Sequence, residues 1–291
     1  VTLPAPLTPV LIVVLAHNEE GRIARCLNSL PLGMPDVAVH IVVNGSSDRT
    51  AAIAHGFAGV TVHDWPQGGK SRSWSRFLLD ETPPGAGMVV LVDGDAEILP
   101  GSVESLAATL AANPDANAAA GMPANGRRAA PYRAQMRRDH GLFGDLYALR
   151  GSFVDRMRSS GIRLPDDCIG DDGLIGALAK TDLGHEDQWQ DVRVIPCESA
   201  GFLCEQVSLA SARTWVMQYR RMRNYSLRHF QNQIISAIMR STGPTGLPRR
   251  LATLYPAWTA QLTPRRSLRW WWFDRQALAR MRAEGKTQGM T

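Results

Sequence analysis

Over its first 120 residues the chain alternates two hydrophobic patterns. Short, nearly unbroken apolar runs occur at VLIVVLA (10–16), VAVHIVV (37–43), GVTVHDW (59–65) and GMVVLVD (87–93). Between them lie EEGRIARCLNSL (19–30), SSDRTAAIAHGF (46–57), KSRSWSRFLLD (70–80) and PGSVESLAATLAANP (100–114). In the first of these, Ile23, Leu27 and Leu30 return at helical spacing; the second opens on serines that can cap a helix and continues in alanines that suit one. The runs read as buried strands and the intervening stretches as helices. Strands separated by helices form βαβ units with right-handed crossovers, hence a parallel sheet, and such sheets bind ligands beyond the carboxyl ends of their strands. The polar clusters AHNEE, VNGSSD, HDWPQGGK and VDGDAE all fall at those ends.

Beyond residue 120 the alternation loosens. RRAAPYRAQMRRDH (127–140) reads as a basic helix, LYALRGSFV (146–154) as a strand running into a Gly-containing turn, and DVRVIP (191–196) as a short strand. GDDGLIGALAKTD (170–182) starts a helix with two aspartates in its first turn, where the helix dipole favours them. A long helical segment rich in Arg and aromatics spans 208–239. The division expected is an α/β unit over 1–207 in two halves (1–120 and 121–207), followed by a helical basic extension over 208–291.

Composition narrows the class. No run reaches the ~18 apolar residues that a membrane-spanning helix requires, and the Pro-rich start reads as a lead-in to a strand rather than a cleaved leader. The four cysteines (Cys26, Cys168, Cys197, Cys204) have no CxxC spacing, so neither structural zinc nor a disulfide framework is expected. A cytoplasmic setting follows, with peripheral attachment at the inner face of the membrane as an option. The net charge of +5 hides an asymmetry: from Arg213 onward there are 15 Lys and Arg against 2 Asp and Glu, leaving 17 against 25 in the preceding residues. Within 265–282, Leu268, Trp271, Trp272, Leu278 and Met281 are interleaved with arginines. Such a helix suits an anionic membrane surface, or packing on its own domain or another subunit. Nucleic acid is not expected, because no recognised motif accompanies the charge.

The densest chemistry is MVVLVDGDAEI (88–98), where an apolar run ends in Asp93 and Asp95 around Gly94. Two neighbouring carboxylates need a cation or several donors to stay ionised together, and Mn²⁺ or Mg²⁺ with phosphate oxygens meets that need. Gly94 is expected to turn the backbone so that the two carboxylates face different ligands. The Asp171–Asp172 pair can supply a base. QGGKS (67–71) resembles the end of a phosphate-binding GxxxxGK[ST] loop, but position 64 is Asp rather than Gly, which excludes it.

Taken in order, AHNEE, VNGSSDRT, GGKSRSW, VDGDAEI, GDDG and QYRRMRNY make the chain resemble the family 2 glycosyltransferases of the GT-A fold, along most of 9–230. The resemblance implies an α/β fold of Rossmann-like character, with a mostly parallel central sheet flanked by helices and a helical, basic C-terminal region. It implies an inverting, metal-dependent transfer from a nucleotide-sugar donor, UDP-linked by preference, to a glycan, lipid-linked or small-molecule acceptor. It implies that Glu19, Asn44 and Asp48 contact the nucleotide and that Lys70 donates to nucleotide or phosphate. Asp93 would bind the ribose side, and Asp95, with Asp93, the metal. Asp172 would be the base and Asp171 its support, while Arg150, Gly151 and Ser152 would line the acceptor site. Arg221 or Arg223 would steady the diphosphate, since two registers of the late motif fit. His185 is a further candidate metal ligand. The chain departs from the family pattern at Val43-Asn44, where acidic residues are frequent, and in lacking Trp after the late arginine. Two other readings remain: a sugar-nucleotide nucleotidyltransferase, whose Gly-rich Arg-containing loop LAHNEEGR does not provide, and a catalytically silent nucleotide-sugar sensor or membrane adaptor.

Overall fold

The computed structural model describes residues 7–204 and 212–288. Strands β1 (Val10–Ala16), β2 (Val37–Asn44), β3 (Val60–Trp65) and β4 (Met88–Asp93) alternate with helices α1 (Ile23–Asn28), α2 (Thr50–Ala54) and α3 (Lys70–Ser75), the last continuing as a π-helical turn over Arg76–Glu81. Then come β5 (Glu97–Ile98), α4 (Ser102–Ala112), β6 (Ala118–Pro123), α5 (Ala129–Asp139), β7 (Leu146–Arg150), α6 (Gly151–Ser159), α7 (Asp171–Lys180) and β8 (Val194–Leu203). After the undescribed stretch, α8 (Ala212–Ser241), α9 (Tyr255–Trp258) and α10 (Leu268–Gln288) complete the fold.

The strands form one eight-stranded sheet in the order β3-β2-β1-β4-β7-β6-β8-β5. β1 through β4 are mutually parallel, as the βαβ pattern requires, whereas β7 runs antiparallel to both β4 and β6. β6 is not among the strands that the hydrophobic pattern predicts, yet its alanines 118–120 are fully buried and paired. β1 has no exposed face, its seven residues being 6% exposed or less. Strand alternation sends Leu11, Val13 and Leu15 to one core and Ile12 and Val14 to the other, so a helical layer covers each side.

The C-terminal helices are part of this packing. Phe230 and Ile234 of α8, Tyr255 of α9 and Leu278 and Met281 of α10 belong to the same core as Leu11 and Val13. Leu278 and Met281 therefore face inward, while Leu268, Trp271 and Trp272 of the same helix are exposed. The expected boundary at 207/208 lies outside the described residues. No described helix is long and apolar enough to cross a membrane.

α10 is pinned by one ion pair. Asp274, 0% exposed, accepts hydrogen bonds from the backbone N–H (2.9 Å), Nε (2.9 Å) and Nη2 (2.7 Å) of Arg265, whose Nη2 also reaches Ser226 of α8 at 3.1 Å. Burial opposes ionisation of Asp274, but these hydrogen bonds win and hold its carboxyl below the usual carboxylate range. Removing one member of a buried pair strands the other, so Asp274→Asn should destabilise the protein by about 3 kcal/mol at neutral pH. A depressed native pKa contributes stability above the unfolded value, near ~4, and loses it as pH falls through the native one. Thermal unfolding should therefore separate wild type from variant clearly at pH 7 and much less at pH 3.

Candidate active site

The polar strand ends converge at the carboxyl edge of the parallel half. Asn44, at the end of β2, is buried; its amide donates to the Ala16 carbonyl at 2.9 Å and its oxygen accepts from Gly69 N–H at 3.1 Å. Both ends of the side chain thus join β1, β2 and the loop before α3, so Asn44 clamps the strand ends together. Asp48 is similarly engaged: Oδ1 accepts from the N–H and hydroxyl of Thr50, and Oδ2 from Glu20 N–H. It ties the first residue of α2 to the loop carrying Glu19. The Glu19 carboxylate is paired with Arg22 at 2.5 Å, and burial, reinforced by Asp95, pushes its pKa up to about 7.

Gly94 has a different role from the one its position suggests. Its φ is not left-handed, but a β-carbon there would lie 2.8 Å from Ala16 Cβ and 3.3 Å from Glu19 Cγ. Glycine is needed because the loop presses on the end of β1.

Asp93 and Asp95 are joined by Asp145, the residue just before β7. One carboxylate oxygen from each of the three lies within 4.8 Å of the others. Burial, then the charge of Asp95, raises Asp145 to about 6, and burial raises Asp93 well above the carboxylate range against the opposing Lys70. Crowded hard oxygens that disfavour one another's ionisation are what a divalent cation such as Mn²⁺ or Mg²⁺ relieves, so the donor set fits such an ion. His185 is not in this group; its ring packs where a β-carbon on Gly243 would fall. Behind Asp145, Cys204 donates its thiol at 3.7 Å, and Asn125 holds Cys204 through both its N–H and its carbonyl at 2.9 Å.

Lys70, at the start of α3, connects the two acidic pairs. Its Nζ lies 2.6 Å from Asp93 Oδ1 and 3.5 Å from Asp171 Oδ2. Burial works against its charge, but Asp171 and Asp93 outweigh burial and hold the ammonium well above its ordinary range. Asp172 follows at the N-terminus of α7, with Arg228 Nη2 3.1 Å from its Oδ1. Burial raises the Asp172 carboxyl and the Arg228 charge partly offsets this. Gly170 permits that approach: it has φ +86, and a β-carbon would fall 2.2 Å from Arg228 Nε. Gly144 lies over the centre, where a β-carbon would be 3.1 Å from Lys70 Nζ, 3.5 Å from Asp93 Oδ2 and 3.9 Å from Asp172 Cβ. A cleft of ≈ 340 Å³ opens beside Asp95, lined among others by Arg22, Arg25, Asn125 and Cys204.

One expectation needs correction. Arg150, Gly151 and Ser152 are at the far edge of the sheet: Arg150 pairs with Met88, the first residue of β4, and its guanidinium donates to the carbonyls of Leu110, Asn113 and Ala116. Because β7 runs antiparallel, its first residues rather than its last reach the site, which brings Asp145 to Asp93 and Asp95. The arginine on the acidic pair is Arg228, seven residues beyond Arg221. Arg221, two turns earlier on the same helical face, acts on Cys204 through its charge, and Arg223 lies 5.9 Å over the Tyr219 ring.

Residues 11–170, more than half of the chain, match the glycosyl transferase family 2. The chain belongs to that family. A curated relative, Protein RfbJ of Shigella flexneri, is 31% identical over 86 residues, covering 30% of this chain and 64% of that protein, so less than two thirds of the relative is spanned. Among solved structures, the mannosyltransferase PcManGT from Pyrobaculum calidifontis, in complex with GDP-Man and Mn²⁺, has a TM-score of 0.58 at 19% identity, over 99% of this chain and 83% of its own. Glucosyl-3-phosphoglycerate synthase from Mycobacterium tuberculosis, with Mn²⁺, UDP and glucosyl-3-phosphoglycerate, has 0.51 at 18% identity, over 76% and 80%. S. aureus TarS 1–349 with UDP-GlcNAc has 0.51 at 12% identity, over 97% and 91%. These likenesses establish the GT-A fold, a mixed α/β sheet flanked by helices.

Proposed function

We propose that this family 2 member transfers a sugar from a nucleoside-diphosphate sugar to an acceptor hydroxyl by a single inverting displacement. The observation that carries the proposal is the convergence at one sheet edge of Asp93, Asp95 and Asp145 with Asp172, Lys70 and Arg228. Asp93, Asp95 and Asp145 would hold Mn²⁺ or Mg²⁺, which when bound offsets negative charge on a diphosphate. Glu19 lies close enough to Asp95 to feel its charge, on the side where the nucleotide would lie. Lys70 and Arg228 add fixed positive charge where the leaving diphosphate develops its own.

Asp172 takes the proton. Its raised pKa makes it a better proton acceptor than an exposed aspartate, which suits a base acting on a hydroxyl. As the acceptor oxygen bonds to the anomeric carbon, the bond to the diphosphate oxygen breaks, the hydroxyl proton passes to Asp172 and the nucleoside diphosphate leaves. Asp171, buried and within 3.5 Å of Lys70, is proposed to position that lysine. The acceptor is a glycan, a lipid-linked sugar or a small molecule. A uridine nucleotide is the preferred donor, with guanosine the alternative suggested by the mannosyltransferase complex.

Calorimetric titration of UDP and of GDP, each with and without Mn²⁺, tests this reading. One nucleotide is expected to bind only with metal present, and Asp95→Ala should abolish that binding. If neither nucleotide binds, or if binding ignores both metal and the substitution, the donor site is misassigned.

A further inference from the structure

The outer surface formed by α8 and α10 has a composition that the proposed chemistry does not use. On α10, Leu268 is 93% exposed, Trp271 44% and Trp272 48%; on α8, Trp215 is 63% and Val216 53% exposed. The two sets are continuous. The Tyr219 ring of α8 lies 5.9 Å from Trp272 and 5.8 Å from Phe273, and its hydroxyl donates to Gln276 at 2.9 Å. At 100° per residue Leu268, Trp272, Arg275 and Ala279 share one side of α10, opposite Asp274, Ala277 and Met281, which are buried. Outward tryptophan and leucine therefore do nothing for the core, which the other face already serves.

Charge identifies what would cover this surface. Arg220, Arg266, Arg269 and Arg275 of the same segments are exposed as well. The acids from residue 213 onward are only Asp274 and Glu284, the first buried on Arg265 and the second accepting from Arg280 at 2.7 Å. No carboxylate on these helices is thus left to neutralise the patch. A second copy applied face to face would set arginine against arginine. A nucleic acid would satisfy the arginines but leave the aliphatic Leu268 and Val216 facing phosphates. An anionic bilayer satisfies both sets, with tryptophan rings among the headgroups, aliphatic side chains below them and arginines on lipid phosphates.

We propose that the outer face of α8 and α10 docks the protein onto an anionic lipid surface. Tyr219 stands nine residues before Arg228 on α8, roughly 13 Å along the helix axis and on the opposite side of that helix, and Arg228 touches Asp172. A protein attached by this face would hold its acidic centre about one helix diameter, ~10 Å, behind that face, within reach of an acceptor displayed on lipid. That consequence rests on the proposed transfer reaction, whereas the attachment does not.

The test is co-sedimentation of the full chain with vesicles of phosphatidylcholine alone and of phosphatidylcholine with phosphatidylglycerol. Binding should occur with the anionic vesicles, weaken as salt is raised and be slight with the neutral ones. Leu268→Glu combined with Trp272→Glu should lower affinity at least about tenfold at an unchanged thermal midpoint, and Arg269→Gln with Arg275→Gln should lower it while flattening the salt dependence. The proposal is overturned if neither vesicle binds, if both bind equally, or if the Leu268/Trp272 variant binds as wild type does. Light scattering showing an oligomer that the same variant dissociates, without vesicle binding, would assign the face to a second copy. A DNA duplex bound in place of vesicles would overturn it as well. No arm of the test requires sugar transfer, so failure here leaves the donor-site experiment standing, and the reverse.

Discussion

Asp172→Asn is expected to lower turnover by about 10²–10⁴-fold, the range of a positioned general base, while metal-dependent nucleotide binding stays close to wild type. The asymmetry follows from geometry. Asp172 is held by Arg228 at 3.1 Å, whereas the three clustered carboxylates belong to the DGD loop and the start of β7. Asparagine preserves the shape and an acceptor oxygen for Arg228 but cannot take the hydroxyl proton. Initial rates with a competent acceptor, set beside calorimetry of the same preparation, separate the two effects. Loss of both would make Asp172 a structural partner of Arg228, and loss of neither would place the base elsewhere. Wild type that binds a nucleotide sugar yet transfers it to no acceptor would favour the silent-sensor reading.

Asp145→Asn should have the second large effect, in the opposite compartment of the chemistry. Removing an anionic oxygen from a cluster of three is expected to weaken Mn²⁺-dependent nucleotide binding by about 100-fold or more, since even groups that only support metal ligands cost 10–100-fold. Metal titration followed by nucleotide titration reads this directly. The variant is informative because Asp145 is partly sheltered and its neighbour Cys204 is fixed by Asn125, so the fold around it should persist. Unchanged metal dependence would reduce the site to Asp93 and Asp95 and make Asp145 a second-layer charge.

These experiments bear on residues that were legible to very different degrees. The DGD turn, the Asp171–Asp172 pair and Lys70 could be picked out because each stands at the end or start of an element whose periodicity is local. Asp145 carried a faint signal, an aspartate directly before LYALR, but a strand's direction cannot be read from its own residues. The resemblance of 146–154 to a strand and turn at the acceptor site points to Arg150, but the antiparallel run of β7 puts that residue at the far edge. Arg228 was masked by repetition: α8 contains several arginines, and Arg221 and Arg228, seven apart, share a face. Only the packing of α8 against α7 selects between them. The clamp made by Asn44 was hidden for another reason, since a strand-end polar residue signals ligand and clamp equally until its partners Ala16 and Gly69 are seen.

The parallel half of the sheet, the acidic strand ends and the basic character of the last third were determined by the sequence itself. Buried runs, helical spacing and net charge depend on neighbours a few residues away. The tertiary structure alone decided that β7 runs backward, that Asp145 completes the carboxylate cluster and that Arg228 faces Asp172. It also decided which side of α10 joins the core and which faces outward. Those outcomes depend on pairings across dozens of residues, where many registers have similar local energies and the cooperative burial of two cores selects one of them.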